Sequence, residues 1–336
     1  MTGSAAFPQP PAGFSDLSRR IGSDPMLVQG PGGNTSVKFG NIMWIKASGT
    51  LLSNAGQSGI FTPVDVERAA AEIDLGEDAP KVDIRLDPDD GHRPSIETGF
   101  HALLPWKYVF HYHSVNALAD LTSAEGEAAA LEKLSGLNPV PVAYAKPGIP
   151  LSGLIRSAIG GRDSRVILLR NHGMIVCGNS IAQVRMLITE TETRMRLNPV
   201  PDSQEQARPP DVPGWVHLCG SGPFVHHTWL EERLTSGCYF PDQTVFLGPQ
   251  IPAVSATDLR EGLGLDAQAA LVPGIGVYVR SGSPAATRET VECVLAILAR
   301  VPNSWQPRTL TTQEVGELID WDAEKYRRAL SEGSSD

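Results

Sequence analysis

The chain has 336 residues, 41% of them hydrophobic and 20% charged, and carries a formal net charge of −10. That length suffices for one large domain or two ordinary ones, and the composition is that of a soluble globular protein. An acidic chain without a dense Lys/Arg run lacks the basic face that nucleic acid requires, which leaves room only for a local anion pocket. No apolar run approaches the length of a membrane span, so no membrane partner is expected.

Residues 1–14 read as a flexible lead-in, because MTGSAAFPQPPAGFSD has neither the basic nor the apolar part of a secretory signal. SDLSRRIG predicts a short amphipathic helix. TSVKF and IMWIKA flank Gly40-Asn41, a two-residue turn, and predict an antiparallel hairpin. Thr62-Pro63 reads as the cap and first position of a helix through VDVERAAAEID. Ser95 to Leu104 predicts a helix stopped by Pro105, which leads into the strand KYVFHYH. VILLR and MIVC predict two short buried strands around Asn171-His172-Gly173. Ser180 and Gln183 then form an S-x-x-Q capping box for a helix whose Ile181, Val184, Leu187 and Ile188 make an apolar stripe.

These elements make residues 15–197 one α/β unit. The Pro-rich stretch PVPDSQEQARPPDVPG marks a linker over 198–211. Within 212–336, LVPGIGVYVRSGSPAATRETVECVLAIL repeats the order strand, glycine turn, strand, cap, helix. Two readings stand: a degenerate half-repeat with glycine where the first copy has His172, or two ordinary βα units. This C-terminal α/β region has no catalytic constellation of its own, so packing or oligomer formation is its default role. Cys238 lacks a cationic neighbour to activate its thiol, while Tyr239 and Asp242 are candidates to reach an active-site mouth. The four cysteines are far apart and lack CxxC spacing, which reads as reduced thiols and fits the cytoplasm.

The chemistry concentrates on Glu97, His111, His113 and His172. Positions two apart on a strand face the same way, so His111 and His113 can close on one ion. His172 adds a third imidazole at a strand end and Glu97 a carboxylate, together a plausible catalytic zinc site with an exchangeable position. Taken singly, each histidine is more often a satisfied core residue than a ligand, and spacing alone does not make three converge. His101, four residues after Glu97, is read as a structural residue ahead of a further ligand or hydrogen-bond partner. His92, His217, His226 and His227 read as surface or loop residues.

A second signal is the turn GPGGNTSVK, where Gly30, Gly32 and Gly33 let backbone amides approach an anion. It has no GK[ST], and Thr35 stands where a dinucleotide fingerprint needs glycine. Together with ASGT (Ser48, Gly49, Thr50) and Ser95, it can surround a phosphate beside the metal; the plain alternative is a pair of hairpin-flanking loops.

GGNTS, ASGT, PSIE, HYH and NHG, in this order over residues 15–197, resemble the class II aldolase/adducin family. PDQTVFLG, VPGIGVYV and WDAEKYR further resemble the aldolase region of rhamnulose-phosphate aldolase/short-chain dehydrogenase fusions, with the chain ending where the dehydrogenase would begin. The resemblance implies a three-layer α/β/α domain on a largely antiparallel sheet, often a tetrameric homo-oligomer with sites at subunit interfaces. It implies a divalent metal, usually Zn2+, on His111, His113 and His172, and Glu97 as the acid/base carboxylate. Asn34, Ser48, Gly49 and Ser95 match positions that hold the substrate phosphate. Ile96 replaces a serine of the common PSSE pattern, and Tyr112 stands between the metal histidines, expected to face away.

The implied activity is a zinc-dependent lyase of cytoplasmic carbohydrate metabolism, cleaving a phosphorylated ketose or related sugar acid through a metal-stabilised enediolate. No nicotinamide chemistry is expected. The alternatives are 4-epimerisation, decarboxylation or dehydration at the same site, and a non-catalytic, adducin-like interaction protein.

Overall fold

The computed structural model describes residues 7–76, 83–87, 91–201, 209–262 and 266–332. The start of the expected lead-in and the centre of the expected linker lie outside the described residues. The chain divides into two compact units.

The first unit is built on a seven-stranded sheet. Its elements are α1 (Ala12–Gly22), β1 (Asn34–Phe39), β2 (Ile42–Lys46), β3 (Phe61–Asp65), α2 (Val66–Leu75), α3 (Thr98–Leu103) and β4 (Tyr108–Tyr112). After α4 (Val115–Leu121) and α5 (Ala124–Lys133), which group with the second unit, come β5 (Val140–Val142), α6 (Ile149–Ile159), β6 (Val166–Leu169), β7 (Gly173–Gly178) and α7 (Ile181–Arg194). The strand order is β3-β2-β1-β4-β7-β6-β5, antiparallel throughout except for the parallel pair β5–β6. The largely antiparallel sheet expected from the motifs is thus present.

Alternation along the strands assigns the two faces. Val109 packs with Phe100 of α3 and with Leu151 and Ile155 of α6, and Met43 and Ile45 pack with Ala69 of α2. The opposite face of β4 turns Tyr108 and Phe110 to Phe14 of α1, with ring centroids 6.2 and 5.7 Å away. Tyr112 lies on that face too, where its hydroxyl meets Thr191 of α7 at 3.4 Å. Helices on both faces make the α/β/α layering, and Tyr112 points away from the side of His111 as expected.

Three local expectations are corrected. Thr62 and Pro63 lie in β3, not in a helix: Met43 pairs with Val64 and Trp44 with Pro63. Pro63 is tolerated because β3 is the edge strand, where a missing N–H need not break a ladder on both sides. The helix starts later, capped by Asp65, whose carboxylate accepts from the Arg68 amide at 2.9 Å. Likewise α3 begins at Thr98, leaving Ser95–Glu97 in the turn that enters it. At α7, Ser180 accepts from the Gln183 amide, but the Gln183 side chain accepts from the Asn179 amide, so the capping box is shifted by one residue on its return bond.

The second unit contains a three-stranded sheet, β8 (Trp215–His217), β10 (Gly276–Arg280) and β9 (Ala269–Val272), in the order β8-β10-β9. The expected succession of strand, turn, strand and helix is present, ending in the helix Ala285–Leu298. Tyr239 and Asp242 are engaged inside this unit. Tyr239 donates its hydroxyl to the Arg233 carbonyl at 2.8 Å, and Asp242 pairs with Arg327. Burial pushes the Cys238 thiol up to about 11, which removes it as a nucleophile at neutral pH.

Asp120 of α4 is buried and accepts from Lys133 at 2.9 and 2.8 Å. Burial still outweighs the lysine and raises the Asp120 carboxyl to about 6. A carboxyl with a raised folded-state pKa stabilises fully below its unfolded value near 4, and that contribution is lost as pH rises through about 6. Relative to Asp120→Asn, the wild-type protein should lose on the order of 2–3 kcal/mol between pH 4 and pH 7. Urea unfolding of both proteins across that range checks this, and parallel pH profiles would refute it.

Candidate metal centre

His111 shares the face of β4 with Val109, and His113 follows one residue past the strand end. His172 stands in the turn that joins β6 to β7. Its position follows from Gly173, which passes so close to the end of β4 that a Cβ would lie 2.6 Å from the Tyr112 carbonyl oxygen and 3.3 Å from His113 Cα. Gly173 also has φ +149°, so both the space and the backbone demand glycine there. Asn171, with φ 54°, supplies the left-handed residue of the same turn. All three histidines are buried, and one ligand atom from each lies within 4.8 Å of the others.

The proton positions around His111 favour a cation. Its Nδ1 lies 3.0 Å from the Met174 carbonyl, which can only accept, so Nδ1 carries the ring hydrogen. With Nδ1 so engaged, Nε2 is the ring nitrogen turned toward the cluster, 3.2 Å from His113 Nε2 and 3.5 Å from Glu97 Oε2. A divalent ion suits such an electron-rich set, and three imidazoles with a nearby carboxylate match the donor chemistry of zinc.

Glu97 is buried at the N-cap position of α3. Its Oε2 accepts from Asn34 Nδ2 at 2.7 Å, and the same Nδ2 lies 3.1 Å from Ser95 Oγ. Asn34 is opposite His111 in the β1–β4 ladder, so both side chains project from one face of the sheet. Gly33 precedes it with φ +58°, and a Cβ there would approach the His111 carbonyl oxygen to 2.9 Å. The glycine turn therefore lets β1 enter the sheet against the strand that bears the histidines.

Of the four residues matched to phosphate positions, Asn34 and Ser95 meet directly at Glu97. Ser48 and Gly49 are half-buried in the adjoining loop, which is tied to the same turn by Ser48 N donating to the Arg93 carbonyl and by the Ala47–Pro94 bridge. Asn34 thus directs its amide at Glu97 and Ser95 in this structure. Two supporting residues lacked any motif. Buried Lys46 donates to the Pro31 carbonyl at 2.8 Å and ties the glycine turn to β2. Buried His101 bridges β1, with Nδ1 2.7 Å from Ser36 Oγ and Nε2 2.5 Å from Asn34 Oδ1. Their only sequence signals were a lysine ending an apolar strand and a histidine one helical turn after Glu97.

The family model for the Class II Aldolase and Adducin N-terminal domain matches residues 14–198. A Bacillus subtilis (strain 168) protein, named as the uncharacterized oxidoreductase YuxG, is 32% identical over 191 residues. That match covers 51% of this chain and 27% of the relative, so the chain spans about a quarter of its length. Among solved structures, the N-terminal class II aldolase domain of a conserved Thermoplasma acidophilum protein is 25% identical with a TM-score of 0.48, covering 58% of this chain and all of that one. L-Fuculose-1-phosphate aldolase from Thermus thermophilus is 16% identical with a TM-score of 0.39, covering 55% and 89% of the two chains.

The centre makes a direct prediction about metal uptake. His113→Ala should lose the metal that the wild-type protein retains after zinc loading and dialysis, whereas Glu97→Gln should keep it. Elemental analysis of the purified variants reads this out, and a full metal complement in His113→Ala would sink the ligand assignment.

Proposed function

We propose a function from one premise: the chain belongs to the class II aldolase and adducin family. The reading is a zinc-dependent aldolase-type lyase that reversibly cleaves a phosphorylated ketose or a related sugar acid. The observation that carries it is the buried His111, His113, His172 cluster with the Glu97 carboxylate 3.5 Å from His111. A non-catalytic, adducin-like interaction protein has no need to bury such a set, because burying imidazoles and a carboxylate together is costly unless hydrogen bonds or a ligand offset it.

His111, His113 and His172 would hold the metal, which supplies a Lewis acid for the negative charge that carbon–carbon cleavage leaves on oxygen. Glu97 moves the proton at the carbon beside the carbonyl. In cleavage the hydroxyl beside the breaking bond loses its proton to solvent and becomes the second carbonyl, the bond pair stays with the ketone fragment, and Glu97 delivers a proton to that fragment's carbon; in synthesis each proton moves back. General acid/base catalysis of this kind contributes about 10²–10⁴-fold. Asn34 and Ser95 orient the carboxylate, and the Ser48–Gly49 loop beside them offers the hydroxyl and amide donors that would seat a phosphate. Fixing the phosphate end would hold the ketose in one orientation over Glu97.

The oxidoreductase in the name of the Bacillus relative fits the kinship with aldolase–dehydrogenase fusions, and nothing in the proposed reaction transfers a hydride. None of the described helices is long and apolar enough to cross a membrane. All four cysteines are free, as thiols kept reduced in the cytoplasm are, and work in that compartment is part of the reading. So is a homo-oligomer, as in the family.

A screen of ketose phosphates and acid phosphates with zinc-loaded protein, read by product mass, tests the reaction. Two carbonyl fragments are expected. An isomer, a product lighter by carbon dioxide, or one lighter by water would instead assign epimerisation, decarboxylation or dehydration, and no turnover of any substrate would favour the non-catalytic, adducin-like reading. On the substrate found, Glu97→Gln should lower kcat by about 10²-fold or more while metal content holds.

A further inference from the structure

His101 has no place among the metal-binding nitrogens, yet it is buried four residues from Glu97 and contacts two polar side chains of β1. Asn34 and Ser36 are two apart on that strand, so both face α3, and the imidazole spans them. Buried polar groups in such a string have to agree on who donates.

The Asn34 amide sets the direction, because its nitrogen can only donate and its oxygen can only accept. Asn34 turns Nδ2 toward Glu97 Oε2, 2.7 Å away, which turns Oδ1 toward His101. That oxygen requires an N–H at His101 Nε2. The remaining ring nitrogen, Nδ1, then accepts from the Ser36 hydroxyl at 2.7 Å. Every donor from Ser36 through His101 and Asn34 points toward the carboxylate, an arrangement in which each bond polarises the next. Were the Asn34 amide to flip, its oxygen would face a Glu97 oxygen, and its NH₂ would meet a ring N–H unless His101 changed tautomer and Ser36 turned to accept.

We propose that His101 is a positioning residue of the catalytic carboxylate: it locks the Asn34 amide, and the locked amide holds Glu97 in its working orientation. Burial holds the His101 ring well below the usual histidine range despite the attraction of Glu97, which keeps one nitrogen available to accept from Ser36. Lys38 fixes the helix that carries His101, donating to the Ala102 carbonyl at 3.2 Å and to that of Leu104. The proposal rests on the reading of Glu97 as the proton carrier, but the hydrogen-bond direction it requires does not.

The test combines ring spectroscopy with a rescue series. Long-range ¹H–¹⁵N correlations of the wild-type protein should show His101 as the neutral Nε2–H tautomer from about pH 5.5 to 8.5; an Nδ1–H tautomer or an imidazolium would overturn the proposal. His101→Leu should lower kcat by about 10–100-fold, with KM and bound zinc changed less than about threefold. His101→Gln, which restores an N–H toward Asn34, should recover most of that loss, and equal losses in the two variants would overturn the positioning role. The Asn34 side-chain amide resonances should move in His101→Leu and stay near their wild-type positions in His101→Gln. If no substrate is turned over, the proposed function fails while the tautomer and the amide resonances still decide the hydrogen-bond direction. If His101→Leu does not fold, wild-type spectroscopy and the activity of His101→Gln and Ser36→Ala carry the test, with an unchanged kcat in all variants counting against it.

Discussion

The antiparallel register that sets Asn34 opposite His111 is the constraint from which the rest of the centre follows. Paired residues in an antiparallel ladder project from the same face, so one register choice aims Asn34 and His111 together. A slip of one residue would turn Asn34 to the α1 face, where Thr35 now bonds Ser18 at 2.8 Å. Asn34 would then stand opposite Phe110 or Tyr112 and away from His111. The aromatic residues beneath α1 and the polar residues beneath α3 therefore enforce the same register from opposite sides.

That register needs backbone that few sequences can supply. Gly33 lets the chain enter β1 beside the His111 carbonyl, and Gly173 lets the β6–β7 turn close against Tyr112 and His113. In both places the motif glycines serve close approach as much as turn geometry. Gly33 and Gly173 are thus architectural residues of the strands and turn that bring the three histidines near one another.

The centre also illustrates how a polar core is kept ordered. A backbone carbonyl assigns the ring hydrogen of His111, and the Asn34 amide, with its Nδ2 on Glu97, assigns the ring of His101. Each assignment follows from a group that can act only one way, which gives the cluster one consistent pattern of donors. The second unit works differently. Its buried polar groups pair internally, as Asp120 with Lys133 and Asp242 with Arg327, and its Cys238 thiol is held neutral.

Much of this was legible in the sequence where the signal is local. The Gly40-Asn41 hairpin, the buried strands around Asn171-His172-Gly173 and the alternation in KYVFHYH follow from side-chain periodicity and turn chemistry. Ordered motifs likewise pointed to the family. Thr62-Pro63 misled because a proline after a threonine signals a helix start, and only a place at the sheet edge makes it a strand. For Lys46 and His101 the local signal stopped at a lysine ending an apolar strand and a histidine one helical turn after Glu97, since the role of each depends on a partner brought near by strand pairing or by helix packing. For the quartet itself, sequence determined which residue types were present and that two of them shared a face. Only the tertiary structure decided that three histidines meet and that Asn34 stands on Glu97, because convergence is set by the register of β1 on β4 and by a turn closed against them.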